Sequence, residues 1–493
     1  MNQRASSLRT TMVFHRYHGW YASFWRLAYL FILGIPPLLA FVMGTFVSKG
    51  GMIQMAAGCV MLLPAVIVLV TEGWSGAFTC TAVASFFAYL MYCNAPILFG
   101  NALLAPTVED YPHFGLSLRE EAAYINLVGC GSMAAGLILG YHPPAPVSAV
   151  DRLRPGKLYV PDLLLRNSVI GITAAFVLVR LFLIVKSGDL SIGAFLAGGR
   201  SSGDYVELAG PFSFVLNLAS VFQVTAVLGG ALLLARRSKV KWAKLVAYVG
   251  ILTPILERAL RGGRGQVIGY LLALIAFAVT IPIPRLQDVM KKAMPFIFAF
   301  LILGFAVMTV IRSEGVGGTK DVDVTEGLRD LVYYDQFTAM EQCLYLYPNL
   351  REPIGGETLL ALPANPIPRT FYPNKPRDLG VILPGELKDR ATATLSAGLI
   401  GEGWANFLWW GAVLLPLGVG FFAGIWDRLR NVGSRWSDGY ALWAAAIPGI
   451  FFIVRGSFMI GGNIIMYSVA GMFMMLIISG RMRDPDVDKT TRV

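Results

Sequence analysis

The sequence predicts an all-α protein that crosses a membrane many times. Of its 493 residues, 56% are hydrophobic and only 14% are charged, whereas a soluble domain carries about 25% charged residues. A membrane-spanning helix needs about 20 mostly apolar residues, and the chain holds about twelve such runs. These predicted spans are 26–47, 53–70, 77–99, 122–141, 165–186, 211–235, 243–257, 266–284, 293–311, 404–425, 439–455 and 460–480.

The distribution of basic residues predicts how these helices are oriented. Lys and Arg concentrate in cytoplasmic loops of membrane proteins. With an even number of spans and the N-terminus inside, 23 of the 41 Lys and Arg residues fall in predicted cytoplasmic segments. The N-terminal segment also lacks the short apolar region and cleavage site of a signal peptide. We therefore expect both termini in the cytoplasm.

Hydropathy divides the chain into three parts. Residues 1–311 form a bundle of about nine helices, residues 312–403 form a hydrophilic loop on the outer face, and residues 404–493 hold the last helices and a cytoplasmic tail. The loop is far longer than an ordinary connection, which favours a functional role. Apolar side chains at helical spacing predict a helix over 328–347 within it, namely Tyr333, Phe337, Met340 and Leu344.

Composition also argues against several classes of site. The five cysteines include no CxxC pair, so neither a disulfide framework nor a zinc site is expected. The net charge of +11 is explained by membrane orientation and is no signal for nucleic acid. We therefore expect no metal, no cofactor and no nucleic-acid partner.

The sharpest basic cluster lies in a predicted outer turn between two apolar runs. The segment 257–266 reads ERALRGGRGQ and contains Arg258, Arg261 and Arg264. Its glycines let backbone N–H groups approach a ligand, the start of a helix favours anions, and arginine binds phosphate through two N–H groups at once. An anion site is predicted here; contacts with lipid headgroups or a role in topology are the alternative.

Three further arginines lie at or near the outer face or within a span. Arg455 ends the apolar run of FFIVRGSFMIGG, where a charge must snorkel, pair or bind something. Arg180 lies within a predicted span, so we expect it to face the bundle and pair with an acid. Arg200 lies in a short outer loop with Asp204 and Tyr205, which is also compatible with an ordinary solvated loop.

Two segments of the large loop complete the candidate site. Prolines impose an extended path on LPANPIPRTFYPNKPRDLG, which displays Arg369, Lys375, Arg377 and the sugar-stacking ring of Tyr372, unless it is a structural clamp.

The second segment runs from a Ser/Thr-rich stretch into the tenth predicted span. In GLIGEGWANF, Glu402 lies at the membrane surface and Asn406 follows one helical turn later, so both can face one site. Capping of the helix by Glu402 is the alternative.

At these residues the chain resembles the Wzy-type O-antigen and oligosaccharide repeat-unit polymerases. The resemblance is carried by IPRTFYPNKP at 367–376, LSAGLIGEGWANF at 395–407, RGGRG at 261–265 and VRGSF at 454–458. It covers roughly 190–460, and a serine that often stands near the family's arginine-glycine turn is missing here. The order of these four motifs along the chain, their spacing and the predicted topology together make the resemblance specific.

The resemblance implies an inverting membrane glycosyltransferase of GT-C-like architecture in the bacterial inner membrane, acting without nucleotide sugar or metal. A hydroxyl of one undecaprenyl-diphosphate-linked oligosaccharide attacks the anomeric carbon of a second, and undecaprenyl diphosphate leaves. Membrane lipid and, where one exists, a protein that regulates chain length are the other expected partners. The catalytic residues would be Glu402, as general base, with Arg264 and Arg369. Substrate and diphosphate would be bound by Arg200, Arg258, Arg261, Lys375, Arg377, Tyr372, Asn406 and Arg455.

Three rival functions stay open. O-antigen ligase-like enzymes share the architecture but are associated with a histidine in the large loop, and the histidines here are His15, His18, His113 and His142. A shape- and division-type peptidoglycan polymerase fits the proline-rich segment less well. A transporter or flippase for lipid-linked glycans would concentrate its polar residues at mid-membrane in two repeats, whereas here they concentrate in outer loops.

Overall fold

The structure of the chain is a computed structural model with an all-helical fold. It describes residues 49–94, 116–141, 162–187, 213–260, 264–281, 287, 289–290, 292–293, 336–367, 371–386, 397–433 and 437–481. Within these residues 86% are helical and no strand is present.

Within the described residues 49–281, the structure contains seven α-helices. In chain order they are α1 (Lys49–Glu72), α2 (Cys80–Ala88), α3 (Leu116–Gly140), α4 (Asp162–Ser187), α5 (Ser213–Ala235), α6 (Ala243–Leu260) and α7 (Arg264–Thr280). A 3-10 segment, Gly73–Phe78, connects α1 to α2, and a π-helical segment, Tyr89–Asn94, continues α2.

The described part of residues 336–481 contains seven more helices. The large loop contributes three short helices, α8 (Gln336–Leu346), α9 (Glu357–Ala364) and α10 (Leu379–Glu386), and the C-terminal part contributes α11 (Gly398–Gly433), α12 (Ser437–Ala444), α13 (Ile447–Arg455) and α14 (Phe458–Arg481). The predicted loop helix is confirmed over its described part, where Phe337, Met340 and Leu344 are buried.

The prediction of an all-α fold is confirmed for the described residues, and the structure is consistent with a helical membrane protein. Within the described ranges five helices are long and apolar enough to cross a membrane: Ile53–Glu72, Glu120–Gly140, Asp162–Phe182, Gly398–Arg430 and Phe458–Ile477. Helices also overlie the other predicted spans except 26–47 and 293–311, which lie outside the described residues. The count of twelve spans and the outer side of the loop stay predictions.

Two predicted spans are interrupted in the structure. Residues 439–455 form two helices, α12 and α13, separated at Ala445 and Ala446. Pro448 stands in the first turn of α13, a position that proline favours because it lacks the N–H group that a helix interior needs. The span predicted at 404–425 belongs to α11, which begins earlier at Gly398 and contains a backbone break at Phe407 and Leu408.

Two pairs of glycines bring α3 and α11 into backbone contact. Gly136 and Gly140 of α3 face Gly420 and Gly424 of α11, and each pair has the GxxxG spacing. A Cβ atom at Gly136 would lie 2.2 Å from the carbonyl oxygen of Leu417, and one at Gly424 would lie 2.6 Å from the backbone nitrogen of Tyr141. Small residues at this spacing allow membrane helices to approach closely, where van der Waals contact and not the hydrophobic effect holds them.

A buried polar cluster joins the helix ends on one side of the bundle. Asp427 of α11 accepts hydrogen bonds from the backbone N–H groups of Cys80 and Thr81, each at 2.8 Å, and so caps α2. The indole of Trp443 donates to the same carboxylate at 3.0 Å. One turn after Asp427, Arg430 forms an ion pair with Glu72 at the end of α1.

The predicted helices alternate in direction across the membrane. Helix ends that this topology places on the same side contact each other in the structure. Glu72 also accepts a hydrogen bond from the hydroxyl of Tyr141, directly after α3, at 2.6 Å. At the other side, Arg180 near the end of α4 pairs with Glu257 near the end of α6, with 3.1 Å between Nε and Oε1. The partner expected for Arg180 is therefore Glu257. These contacts agree with alternating helix directions.

We predict that Gly420→Leu destabilises the bundle by about 1–3 kcal/mol, because a Cβ atom at this position would lie 2.4 Å from the carbonyl oxygen of Met133 and force α3 away from α11. Thermal unfolding of the purified protein in detergent measures the effect. Gly418→Leu is the matched control, since a Cβ atom there meets nothing within 4 Å. Equal melting temperatures for the two variants would contradict the glycine contact.

Candidate functional site

The predicted Glu402 segment is a short helix that folds back on the rest of α11. Phe407 and Leu408 leave helical geometry, with Leu408 at φ 50°. The chain reverses so closely that a Cβ atom at Gly411 would lie 1.8 Å from the carbonyl oxygen of Gly403. Residues 398–406 are therefore a separate half-helix, and the indoles of Trp404 and Trp409 pack edge to face across the turn at 5.5 Å.

Asn406 joins this half-helix to the large loop. Its Oδ1 accepts from the backbone N–H of Gly356 at 3.0 Å, and its Nδ2 donates to the hydroxyl of Thr358 at 2.6 Å. Nδ2 also donates to the backbone carbonyl of Glu402 at 2.8 Å, so the expected one-turn relation between Glu402 and Asn406 is present. Asn406 is only 1% exposed, and in this geometry its amide acts as a structural clamp.

Glu402 is buried inside the protein and anchors a different helix from its own. Its side chain is 1% exposed, and Oε2 accepts a hydrogen bond from the backbone N–H of Phe458, the first residue of α14, at 2.7 Å. A carboxylate at a helix N-terminus pairs with unsatisfied N–H groups and with the helix dipole. Glu402 is thus enclosed by protein, and the helix that it caps is α14 and not its own.

Tyr92 fixes where the half-helix begins, a role that its position in an apolar run did not reveal. Its hydroxyl accepts from the backbone N–H of Leu399 at 2.6 Å and donates to the carbonyl of Val454 at 2.8 Å. Gly398 adopts φ +63°, and a Cβ atom there would lie 2.0 Å from the Tyr92 hydroxyl. Tyr92 therefore holds the start of α11 beside the end of α13.

A second buried carboxyl group, Asp378, lies near Glu402. It precedes α10, where its side chain accepts from the backbone N–H groups of Leu379 and Gly380, and it also accepts from the hydroxyl of Ser457. Burial raises the pKa of Asp378 above its ordinary value of 3.8, against the effect of these hydrogen bonds. Sequence analysis missed this residue because its segment was interpreted through its cations.

Arg455 of the VRGSF motif at 454–458 lies beside Gly265, the last residue of the RGGRG motif at 261–265. Its guanidinium packs against Gly265 in the first turn of α7, so closely that a Cβ atom at Gly265 would overlap it. The guanidinium carbon also lies 5.9 Å from the centre of the Phe451 ring, within cation–π range. Arg455 is half-buried and stands three residues before Phe458, which Glu402 binds. Segments far apart in sequence therefore converge at this end of the bundle.

Arg258 belongs to a network beside this point. Its Nε lies 3.4 Å from the carboxylate of Glu257, and an N–H group donates to Gln223 at 3.1 Å. The hydroxyl of Tyr270 on α7 donates to the same Gln223 oxygen at 2.5 Å, and Arg180 pairs with Glu257 from the other side. Such intramembrane ion pairs usually have a functional role, although Arg258 is here bound by protein groups.

The cations of the proline-rich loop have different environments. The ammonium of Lys375 donates to the carbonyl of Asn365 at 2.7 Å, to its side-chain oxygen at 3.2 Å and to the carbonyl of Ile367 at 3.3 Å. It therefore fastens the loop, which favours the structural-clamp alternative for this residue. Arg377 and Tyr372 are exposed, and the neighbouring Phe371 is 80% exposed.

Four predicted site residues have side chains outside the described part of the structure. Arg200, Arg261 and Arg369 lie outside the described residues, and of Arg264 only its backbone position at the start of α7 is described. Across the described ranges, no group of three or more His, Cys, Asp or Glu side chains has an arrangement that could hold a metal ion. Comparison of the chain with protein-family models, curated proteins and solved structures gives no match.

We predict that Asn406→Ala lowers stability by about 1–3 kcal/mol, because it leaves the buried N–H of Gly356 and the hydroxyl of Thr358 without their partner. Asn374→Ala, an exposed asparagine in the same loop, serves as the control and should leave the melting temperature unchanged. A melting temperature equal to that of the wild type for Asn406→Ala would exclude the clamp.

Proposed function

We propose that this protein is a polymerase that joins undecaprenyl-diphosphate-linked oligosaccharide repeat units into a surface polysaccharide. The active site would lie at the end of the bundle where α7, α11, α13 and α14 meet the large loop. The acceptor and donor are both lipid-linked, so the reaction takes place at the membrane surface. O-antigen, capsule and exopolysaccharide are the polysaccharide classes to which this chemistry applies.

The convergence of the motifs is the observation that supports this proposal best. Arg455 packs against Gly265, and Glu402 binds the N–H of Phe458 three residues after Arg455. Three of the four elements that resemble the polymerase family in the sequence are thus neighbours in space. Arg264 immediately precedes Gly265, so its backbone stands beside Arg455 as well.

The proposed chemistry depends on positive charge more than on a base. Negative charge develops on the diphosphate as the glycosidic bond to the donor breaks, and fixed cations at that point lower the barrier. Arg264 and Arg455 are the proposed ligands of this diphosphate, with Arg369 from the loop. Glu402 is the proposed acceptor of the proton from the attacking hydroxyl.

A glycan transporter is the second candidate, and one observation favours it. The buried network of Arg180, Glu257 and Arg258 resembles the paired charges that transporters carry along a substrate path. Deletion of the gene followed by gel analysis of surface glycans separates the two functions. Loss of the ladder with single-unit bands retained supports a polymerase, whereas loss of all glycan supports a flippase or a ligase.

We predict that Arg264→Lys and Arg455→Lys both shorten the polysaccharide ladder strongly when they complement the deletion strain. Lysine keeps the charge but loses the planar pair of N–H groups that grips a diphosphate. Arg166→Lys is the control, because Arg166 lies near the opposite end of the bundle, where it donates hydrogen bonds to the side chain of Asn167 and to the Lys241 carbonyl. Ladders of normal length from both test variants, at normal expression, would exclude specific diphosphate binding.

The proposed location is the bacterial inner membrane with both termini in the cytoplasm. A cysteine introduced at Asp321 should therefore react with a membrane-impermeant thiol reagent in cells whose outer membrane has been permeabilised. A cysteine introduced at Ser238, between α5 and α6, should be protected because this link is predicted to face the cytoplasm. The reverse labelling pattern would show that the topology is inverted and that the site does not lie on the outer face.

A further inference from the structure

Helix α9 of the large loop connects the fold-back of α11 to the first turns of α14. At its beginning, a Cβ atom at Gly356 would lie 2.8 Å from the Phe407 ring in the fold-back. Near its end, Cδ2 of Leu362 lies 2.6 Å from where a Cβ atom would stand at Gly462, one turn into α14. Both ends of α9 therefore contact helices that are long and apolar enough to span a membrane, although hydropathy assigns α9 to a hydrophilic loop.

The start of α14 lies below the start of the long part of α11. The half-helix of residues 398–406 folds back against that long part, so Glu402 lies deeper in the bundle than Trp409. The carboxylate of Glu402 accepts a hydrogen bond from the N–H of Phe458. Because Phe458 begins α14, this helix also starts deeper than Trp409.

The direction of α14 follows from its antiparallel packing on α13. A Cβ atom at Gly449, early in α13, would overlap the side chain of Ile465, whereas one at Gly461, early in α14, would overlap Ile453. Helix α13 follows α12, whose indole binds Asp427 at the end of α11 that is remote from the fold-back. Helix α14 therefore runs from the fold-back end of the bundle toward the Asp427 end.

Helix α9 consequently descends along α14. It begins at the fold-back, near Trp409, whereas Leu362 packs one turn below the start of α14. A helix of eight residues is about 12 Å long. This length fits within one leaflet of a bilayer, whose hydrocarbon part is about 15 Å thick, half of the whole.

The exposed side of α9 is apolar. Leu360 is 59% exposed, and Pro363 and, just after the helix, Ile367 are exposed as well. Residues 357–367 contain a single charged side chain, that of Glu357, at the end beside the fold-back. The side that packs on the protein consists of small residues, namely Thr358, Ala361 and Ala364. Such a surface suits hydrocarbon along the helix and lipid headgroups at its beginning.

Backbone groups beside both ends of α9 are bound by protein. Before the helix, the N–H of Gly355 donates to the carbonyl of Asn406 at 3.1 Å. After it, the ammonium of Lys375 donates to the carbonyls of Asn365 and Ile367 at 2.7 and 3.3 Å. A cation at this position also interacts favourably with the helix dipole. Irregular backbone at membrane depth needs such partners, because hydrocarbon supplies none.

We infer that α9 is a re-entrant helix and that Leu360, Pro363 and Ile367 contact the acyl chains of one bilayer leaflet. Lipid fits this face because α14, on which α9 packs, likewise exposes the apolar side chains of Ile460 and Met466. Part of the large loop is thus a membrane element that lies beside the spanning helices. This placement follows from contacts and surface chemistry and is independent of the proposed function.

Leu350 and Leu360 form a matched pair for a test on the unmodified full-length protein. Their exposed fractions are 58% and 59%, and Leu350 stands beside the exposed side chains of Arg351 and Glu352. In lipid nanodiscs, hydroxyl radicals generated in water should oxidise Leu360 at least about fivefold less than Leu350, because hydrocarbon excludes water. Mass spectrometry of the digested protein measures both. Equal oxidation of the two leucines would overturn the inference.

Spin labels give a second test in liposomes. Leu350→Cys, Leu360→Cys and Ile367→Cys are labelled in a Cys59→Ser background, because Cys59 is the exposed native cysteine. Oxygen concentrates in hydrocarbon and a charged nickel chelate in water. The ratio of accessibility to oxygen over that to the chelate should be at least about fivefold higher at positions 360 and 367 than at 350.

Leu414→Cys, at an exposed position of α11, supplies the lipid reference for these ratios. A ratio at 360 and 367 equal to that at 350 would place α9 in water and overturn the inference. Low accessibility of both positions to both reagents would also overturn it, because another protein segment or a second copy of the chain would then cover this face.

Discussion

The exclusion of unpaired polar groups from the membrane interior is the constraint on which this fold depends. Water does not reach the hydrocarbon core, so backbone and charged groups there must bind to each other. Asp427 meets this requirement for the buried N–H groups of Cys80 and Thr81 at the start of α2, and Arg430 meets it for Glu72. Removal of either acid would leave a buried charge or uncapped helix end. The cluster therefore fixes the relative position of α1, α2 and α11, against which α3 packs.

The same constraint explains why one end of the bundle is rich in unusual backbone. The half-helix of residues 398–406 and the junction of α13 with α14 both leave N–H and C=O groups that a continuous helix would pair. Tyr92, Asn406 and Glu402 bind these groups with hydroxyl, amide and carboxylate atoms. Irregular backbone at membrane depth is tolerated where protein surrounds it. In this protein such irregularity coincides with the sequence motifs of the candidate site.

Hydropathy predicted the helices well because burial in lipid requires long apolar runs. In the described residues, helices overlie ten of the twelve predicted spans, two of them with interruptions. The pairing of Arg180 with an acid followed from the cost of an unpaired charge. The fold-back at Phe407 was not predictable, since its residues are apolar and belong to the same hydropathy maximum. Glu402 and Asn406 were identified by residue type and spacing, but their burial and their partners Phe458, Gly356 and Thr358 depend on the fold. Asp378 and Tyr92 were missed because their roles depend on contacts between distant segments.

The fold-back of α11 also determines how deep the candidate site lies in the bilayer. After the break, residues 409–433 continue as a helix about 37 Å long, slightly more than the hydrocarbon thickness of about 30 Å. Trp409 and Trp410 begin this helix and are exposed, as expected for aromatic side chains at the level of the lipid headgroups. The half-helix with Glu402 therefore returns to the headgroup level beside them. A polyprenyl chain inserted in the lipid would hold its diphosphate at this same level, so bilayer thickness would set the height of the substrate relative to the site.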